Sequence, residues 1–439
     1  MYNVIKQGCS RTIRQNHADL GHILILLIKT KPQKEVRTMI YTAEEVYEFV
    51  KQEDVKFIRL AFCDIKGRQK NISIMPDELP KAFSDGISFD ASAIEGFGTE
   101  ALSDLLLFPI PSTLNVLPWR PSHGKVVRMF CNIFHPDNTS FKKDSRKILS
   151  DAVDYAVKNN VIINIGTEFE FYLFKTDENG DPTKIPFDNA SYMDVAPEDK
   201  GENVRREICL TLLNMGIRPE SSHHEEGPGQ NEIDFRYSDP ITAADNAINF
   251  ISVVKAAATS YGLYADFSPK PLKDKSGNGM HINISAKDTK GTELTQSFMA
   301  GVLAHIKEIT AFLNPTENSY ERLGKFKAPK YITWSPENRS QLIRIPAAKG
   351  NYKRMELRSP DPSANPYLAY ALLIYAGIDG IKNNMKPSAP VNENLYSSNE
   401  DTVRKLDSLP ESYKKAVEYA SNSKWLHSLP IDIDAFLCK

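Results

Sequence analysis

Long apolar runs are missing from this 439-residue chain. The densest near its start is HILILLI, His22 to Ile28, far short of the roughly 20 residues that a membrane-spanning helix needs. Basic residues precede it and no small-residue cleavage site follows, so a secretory signal is not expected. Cysteine is also sparse: Cys9, Cys63, Cys131, Cys209 and Cys438 are odd in number, scattered and without a CxxC pair. They read as reduced thiols, and the chain as cytoplasmic. Excess charge is nearly absent, with a formal net charge of -2. Neither nucleic acid nor an anionic membrane is an expected partner, and any phosphate must be held by local arginines. There is no GxxxxGK[ST] loop, and GFGTEA and GNGMHI depart from GxGxxG. Neither glycine-rich phosphate cradle is supported.

What is present is the balance of a globular protein, 41% apolar and 25% charged, with length for two or three domains. Within GTEFEFYLF, Gly166 to Phe174, Glu168 and Glu170 stand two apart among aromatic and aliphatic side chains. On a strand, residues i and i+2 share a face at roughly 6 to 7 Å, where two carboxylates repel unless a cation lies between them. The pattern recurs. GMHINIS sets His281, Asn283 and Ser285 opposite Met280, Ile282 and Ile284; QNEIDF pairs Glu232 with Asp234; RMELRSP aligns Arg354, Glu356 and Arg358. An ordinary solvated face accounts for any one of these strands, but less well for four together.

Composition shifts divide the chain. Residues 1–38 are basic, pattern poorly as core or helix, and read as an appended or mis-assigned leader. Residues 39–141 open with IYTAEEVYEFVKQEDV, where Thr42 and Glu45 form a capping box, and continue as strands, with a hairpin turned at Lys66 and Gly67. Residues 142–439 alternate strands with helices following Asp144 and ending at Gly216 and Gly262, and a helix in DPSANPYLAYALLIYAGIDGIKN is apolar nearly all round. The fold class is α+β, a small β-rich domain followed by a large mixed α/β domain.

Candidate metal ligands are Glu168, Glu170, Glu225, Glu232, His281 and Glu356. Five hard oxygen donors and one imidazole suit two Mg²⁺ or Mn²⁺ ions better than zinc or copper. Arg322, Arg339, Arg344, Arg354 and Arg358 offer planar forks for carboxylate and phosphate oxygens. Metals and arginines together describe phosphoryl transfer from a nucleotide. His223 and His224 point to opposite faces of a strand, and each reads as a structural histidine.

The ordered motifs FDASAIEGF, GTEFEFYLF, SSHHEEGPGQNEIDF, GNGMHINIS, NPTENSYERL, NRSQLIRIP and RMELRSPDPSANPYL resemble the bacterial class I glutamine synthetases, from about Tyr41 to Trp425. The resemblance implies a β-grasp-like N-terminal domain and a catalytic domain with a curved, mostly antiparallel sheet. It also implies a reaction: ATP phosphorylates the γ-carboxylate of L-glutamate, and ammonia displaces the phosphate. By similarity, Glu170, Glu225 and Glu232 hold one cation, and Glu168, His281 and Glu356 the other. Arg339 faces the phosphoryl group, with Arg344, Arg354, Glu220, Asn283 and Ser285 on the ATP side. Arg322, Gly277, Ser276 and Arg358 form the glutamate side. Asp90 matches the aspartate that receives ammonium, reaching the site from a neighbouring subunit of a homo-oligomer, a hexameric ring that stacks in the family into a dodecamer. The bland alternatives are surface ion pairs for Arg322 and Arg344 and a turn or cap for Asp90.

Departures from the family pattern fall on the amine side. GKFKAP replaces a GYEAP-like flap, one residue shorter, with Lys327 at the position of the flap glutamate. A protonated lysine cannot take a proton from the attacking amine and repels ammonium. Ala91 and Ala93 replace the Gly and Ser of an FDGSS-like motif, and Ser276 replaces an asparagine. GFGTEALSD lacks a feedback arginine. The end at IDIDAFLCK is short of the segment that joins two rings, which makes stacking less expected than the single ring. Three readings follow: a glutamine synthetase, an ATP-dependent γ-glutamyl ligase for another amine such as a polyamine, and a non-catalytic ring-forming homologue.

Overall fold

The capping box at Thr42 closes on both sides: Thr42 N donates to Glu45 at 2.7 Å and Glu45 N to the Thr42 hydroxyl at 3.2 Å. It starts α1 (Ala43–Gln52), which buries Val46 and Val50. This is a computed structural model describing residues 41–437 apart from 100, 121, 122, 349, 351 and 352. The leader expected over residues 1–38 lies outside the described residues.

A six-stranded sheet comes first. It consists of β1 (Val55–Cys63), β2 (Gln69–Ile74), β3 (Ile87–Asp90), β4 (Asp104–Pro109), β5 (Asn115–Val116) and β6 (Lys125–Phe134), with helix α2 (Leu79–Ser84) between β2 and β3. The order is β2-β1-β6-β4-β3, with β1 parallel to β6 and antiparallel to β2. The β1–β2 hairpin turns at Gly67, whose φ of +75° suits glycine. Asn365 from the larger layer leaves no room there, since a Cβ on Gly67 would lie 2.7 Å from the Asn365 Cα.

The second sheet has nine strands built around β7 (Val161–Thr176): β8 (Pro182–Pro186), β9 (Pro219–His224), β10 (Gln230–Phe235), β11 (Leu263–Asp266), β12 (Met280–Asp288), β13 (Trp334–Pro336), β14 (Ile343–Ile345) and β15 (Met355–Leu357) complete it. Its order is β13-β14-β15-β12-β7-β10-β9, antiparallel except for the β13–β14 pair. The helices are α3 (Ser145–Lys158), α4 (Glu202–Asn214), α5 (Pro240–Ser260), α6 (Thr295–Leu313), α7 (Glu317–Arg322), α8 (Pro366–Lys382), α9 (Glu400–Val403) and α10 (Tyr413–Asn422). Asp144 caps α3 as expected, accepting from the Arg146 and Lys147 amides. Helix α8 is buried almost all round.

Strand alternation decides which face of β7 is chemical. Thr167, Phe169 and Phe171 are buried, and the Phe169 ring stacks on Phe250 of α5 with centroids 5.1 Å apart. Each buried phenylalanine contributes about 1.5–3 kcal/mol, which fixes the register. A one-residue slip would put these rings in the cleft and the acids in the core. Glu168 and Glu170 are thereby held on the opposite face.

Candidate active site

Cross-strand register brings the acids of separate segments into rows. Ser221, Asp234, Glu168 and His281 align across β9, β10, β7 and β12, and one step along, His223, Glu232 and Glu170 align. Asn283 stands opposite Glu356 of β15, and Glu356 opposite Arg344 of β14. Glu225 follows β9 directly. Among the described residues, Glu168, His281 and Glu356 offer donor atoms within 4.8 Å of one another, as do Glu170, Glu232 and His281. Glu225 groups with Glu232 and His223 on the same criterion, and Asp234 with Glu168 and Glu232. Glu232 is shared by three of these four groups.

The electrostatics of the cluster are uneven. Burial works to raise the Glu168 carboxyl, but the His281 ring, the Asn283 amide at 2.7 Å and the Arg354 charge bring it down to about 2. Glu225 is pushed up to about 7 by burial and then by Glu170. Asp234 rises to about 7 through burial and Glu168, and Glu232 goes well above its ordinary value through burial, Asp234 and Glu170. Glu170 accepts from the Gly279 amide at 2.7 Å. Glu356, 1% exposed, accepts from Arg344 Nη1 at 2.6 Å and Arg358 Nε at 3.1 Å. Protein cations therefore balance one end of the cluster, while the Glu225–Glu232–Asp234 end is left with carboxylates that resist ionisation. That excess of hard oxygen donors fits divalent cations.

Two cavities flank Glu168. One is lined by Glu170, Glu225, Glu232, Gly277, Arg322 and Arg339 among others. The other is lined by Glu220, Asp234, Tyr237, Asn283, Ser285 and Arg354. Arg354 Nε donates to Asn283 Oδ1 at 2.7 Å. Arg344, expected towards the nucleotide, lines neither cavity and is engaged by Glu356. Arg322 is 3% exposed and donates to the Ser359 and Arg358 carbonyls at 2.8 and 3.2 Å, against Gly277. Arg358 donates to the carbonyls of Lys327 and Arg339.

Asp90 is exposed at the end of β3, lines neither cavity of its own chain, and accepts from the Ser92 amide and hydroxyl at 2.9 and 2.6 Å. Lys327 lines the acidic cavity but directs its ammonium to Glu226 at 2.5 Å. The two histidines differ. His224 is fully buried, with Nδ1 donating to the Glu225 carbonyl at 2.6 Å and Nε2 to Asp188 at 2.9 Å; it braces the turn that carries Glu225. His223 faces the acids, 3.4 Å from Glu232 and 3.8 Å from Glu225, so the structural reading fails for it. Sequence reasoning also passed over Glu226, Tyr192 and Gln230 as cavity residues and left Asp234 off the ligand set. Asp234 and Gln230 were visible in their alternation with Glu232 on β10, whereas Glu226 and Tyr192 sit on turns without periodicity.

Comparison with known proteins bears on this arrangement. The model described as "Glutamine synthetase, catalytic domain" matches residues 142–433, and "Glutamine synthetase, beta-Grasp domain" matches residues 54–136. The glutamine synthetase of Methanosarcina mazei is 46% identical over 400 residues, 88% of this chain and 90% of that protein. That of Clostridium saccharobutylicum is 45% identical over 399 residues, with the same coverage, 88% and 90%. A solved GmaS/ADP complex superposes with a TM-score of 0.81 at 29% identity, covering 89% of this chain and 93% of the other. No helix among the described residues is long and apolar enough to cross a membrane.

Proposed function

Since this chain belongs to the glutamine synthetase family, we propose that it ligates ammonia to the γ-carboxylate of L-glutamate at the expense of ATP, through a γ-glutamyl phosphate. The observation that carries the reading is the convergence of Glu168, Glu170, Glu225, Glu232 and His281 on the acidic cavity, with Glu356 grouped beside Glu168 and His281. Glu170, Glu225 and Glu232 would hold one Mg²⁺ or Mn²⁺, and Glu168, His281 and Glu356 the other. Bound there, the cations supply positive charge opposite the nucleotide phosphates.

The chain's own groups do the rest. Asn283, Ser285, Glu220 and Arg354 orient ATP in the second cavity, and Arg344 holds Glu356 in an ion pair. Arg322, Gly277, Ser276 and Arg358 seat glutamate in the acidic cavity, where burial raises the worth of each charged hydrogen bond. Arg339 offers a fixed cation where charge develops on the moving phosphoryl group. Asp90 of a neighbouring copy receives ammonium, so the working form is a homo-oligomer, a hexameric ring, with stacking into a dodecamer the next level. The free thiols of Cys63, Cys131 and Cys209 accord with the cytoplasm. We likewise place one domain at residues 39–141 and the other at 142–439.

Purified protein given ATP, L-glutamate and Mg²⁺ or Mn²⁺ should release phosphate and form glutamine on addition of ammonium. Amide formed only with another amine would transfer the reading to a γ-glutamyl ligase. Nucleotide binding without turnover of any amine would refute both.

A further inference from the structure

The turn after β9 carries an acid that neither cation triad uses. Glu226 Oε1 lies 2.5 Å from the Lys327 ammonium, and its Oε2 accepts from the Ser276 hydroxyl at 3.2 Å. The same ammonium stands 5.4 Å from the centroid of the Tyr192 ring. All four residues line the acidic cavity. The Lys327 backbone is held separately, its carbonyl accepting from the Tyr396 hydroxyl at 2.5 Å and from Arg358 Nη1 at 3.3 Å. The side chain is therefore free to leave without the segment moving. A carboxylate beside an aromatic face is how a primary ammonium group is recognised, by a charge-assisted hydrogen bond and a cation–π contact. Lys327 is itself an alkylammonium, and the structure shows it seated there.

We propose that Glu226 and Tyr192, with Ser276 orienting the carboxylate, form an acceptor-amine subsite for a primary ammonium group, which Lys327 occupies and guards. The assignment rests on the ligase reading above and extends it to the amine side. An incoming cation must displace Lys327 from Glu226. Ammonium needs only the carboxylate, whereas an alkylammonium also needs the space over Tyr192 that the lysine stem fills. Lys327 thus selects for the smallest amine by competing with the larger ones.

The test uses the full-length protein with ATP, L-glutamate and either ammonium or methylammonium, and reads amide and phosphate. In Lys327→Ala the KM for methylammonium should fall by about tenfold, because a tethered competitor at an effective concentration of roughly millimolar is gone; kcat should change less. Glu226→Gln added to that variant should return the KM towards the parental value. Lys327→Met, which keeps the stem and loses the charge, should give a smaller fall. An unchanged methylammonium KM in both lysine variants, or no effect of Glu226→Gln on Lys327→Ala, overturns the subsite. A parent protein that forms amide with no amine overturns the ligase reading and this assignment with it; amide from the parent with an unmoved KM overturns the assignment alone.

Discussion

Removing a proposed cation ligand should stabilise the metal-free protein. Glu225 has a side chain 14% exposed and a carboxyl pushed from 4.5 to about 7 by burial and then by Glu170. The unfolded chain releases this proton first, so the folded state loses stability as pH rises from 4.5, and the whole loss is present above about 7. At 1.36 kcal/mol per pH unit the cost at pH 8 is about 3 kcal/mol. Glu225→Gln removes it and should unfold later than the parent in EDTA at pH 8, with a smaller difference of about 0.8 kcal/mol at pH 5. Divalent cation narrows this gap. The parent gains about 2.7 kcal/mol when the cation stands at 100 times its Kd, and the variant, short of one donor, gains less. Thermal unfolding at fixed protein concentration, in EDTA and in Mg²⁺ at both pH values, reads all four corners. A variant less stable than the parent in EDTA at pH 8, or equally displaced at pH 5 and pH 8, would refute the claim that these acids are held together against their own repulsion.

Gly277→Ala places a Cβ 2.4 Å from the Pro269 carbonyl and 2.9 Å from Arg322 Cγ, so the glutamate KM should rise by about tenfold or more, about 1.4 kcal/mol; an unchanged KM would remove Gly277 and Arg322 from the glutamate side. Asp90→Asn touches only an exposed turn held by Ser92 and should alter stability by less than about 0.5 kcal/mol while abolishing turnover. Co-assembled in equal amounts with Glu232→Gln subunits, it should recover about a quarter of the native sites, since each site draws on two copies; a mixture as inactive as its parts would put Asp90 outside the active site.

The sheet face was legible in the sequence because alternation has a period of two and needs no knowledge of distant segments. Glu168 and Glu170 oppose Phe169 and Phe171 in the bare sequence, and the nine-stranded sheet keeps that division. Five of the six candidate ligands could be named for the same reason, and Glu225 because it follows the paired histidines at the end of β9. What was not legible is pairing between turns. Glu226 is the second of two adjacent glutamates, with no period to set it apart, and Lys327 lies on a non-repeating segment far along the chain. The two histidines show the limit from the other side. Adjacency on a strand correctly separated their faces, but not which face met the acids, and His223 met them.

Lys327 shows why a charge read from sequence has no direction. At the position of the family's flap glutamate it reads as a cation opposed to ammonium, and Lys327→Glu reads as a repair. In the structure the ammonium is neutralised by Glu226, so the pair presents no net positive charge to the amine. Lys327→Glu would set two carboxylates where one ion pair stood. At about 4 Å and an effective dielectric of 20 their repulsion is about 4 kcal/mol, reduced by solvent because the Lys327 and Glu226 side chains are 53% and 31% exposed. The single substitution should therefore lower the ammonium KM, because a cation between the two carboxylates relieves their repulsion. Lys327→Glu combined with Glu226→Gln should lower it less, because one acid then faces the site as in the family pattern. The double variant must depart from the sum of its parts by more than the roughly 0.3–0.5 kcal/mol expected of independent sites. Additive changes in the ammonium KM would mean that Lys327 and Glu226 act separately, and the repulsive reading of the flap lysine would stand.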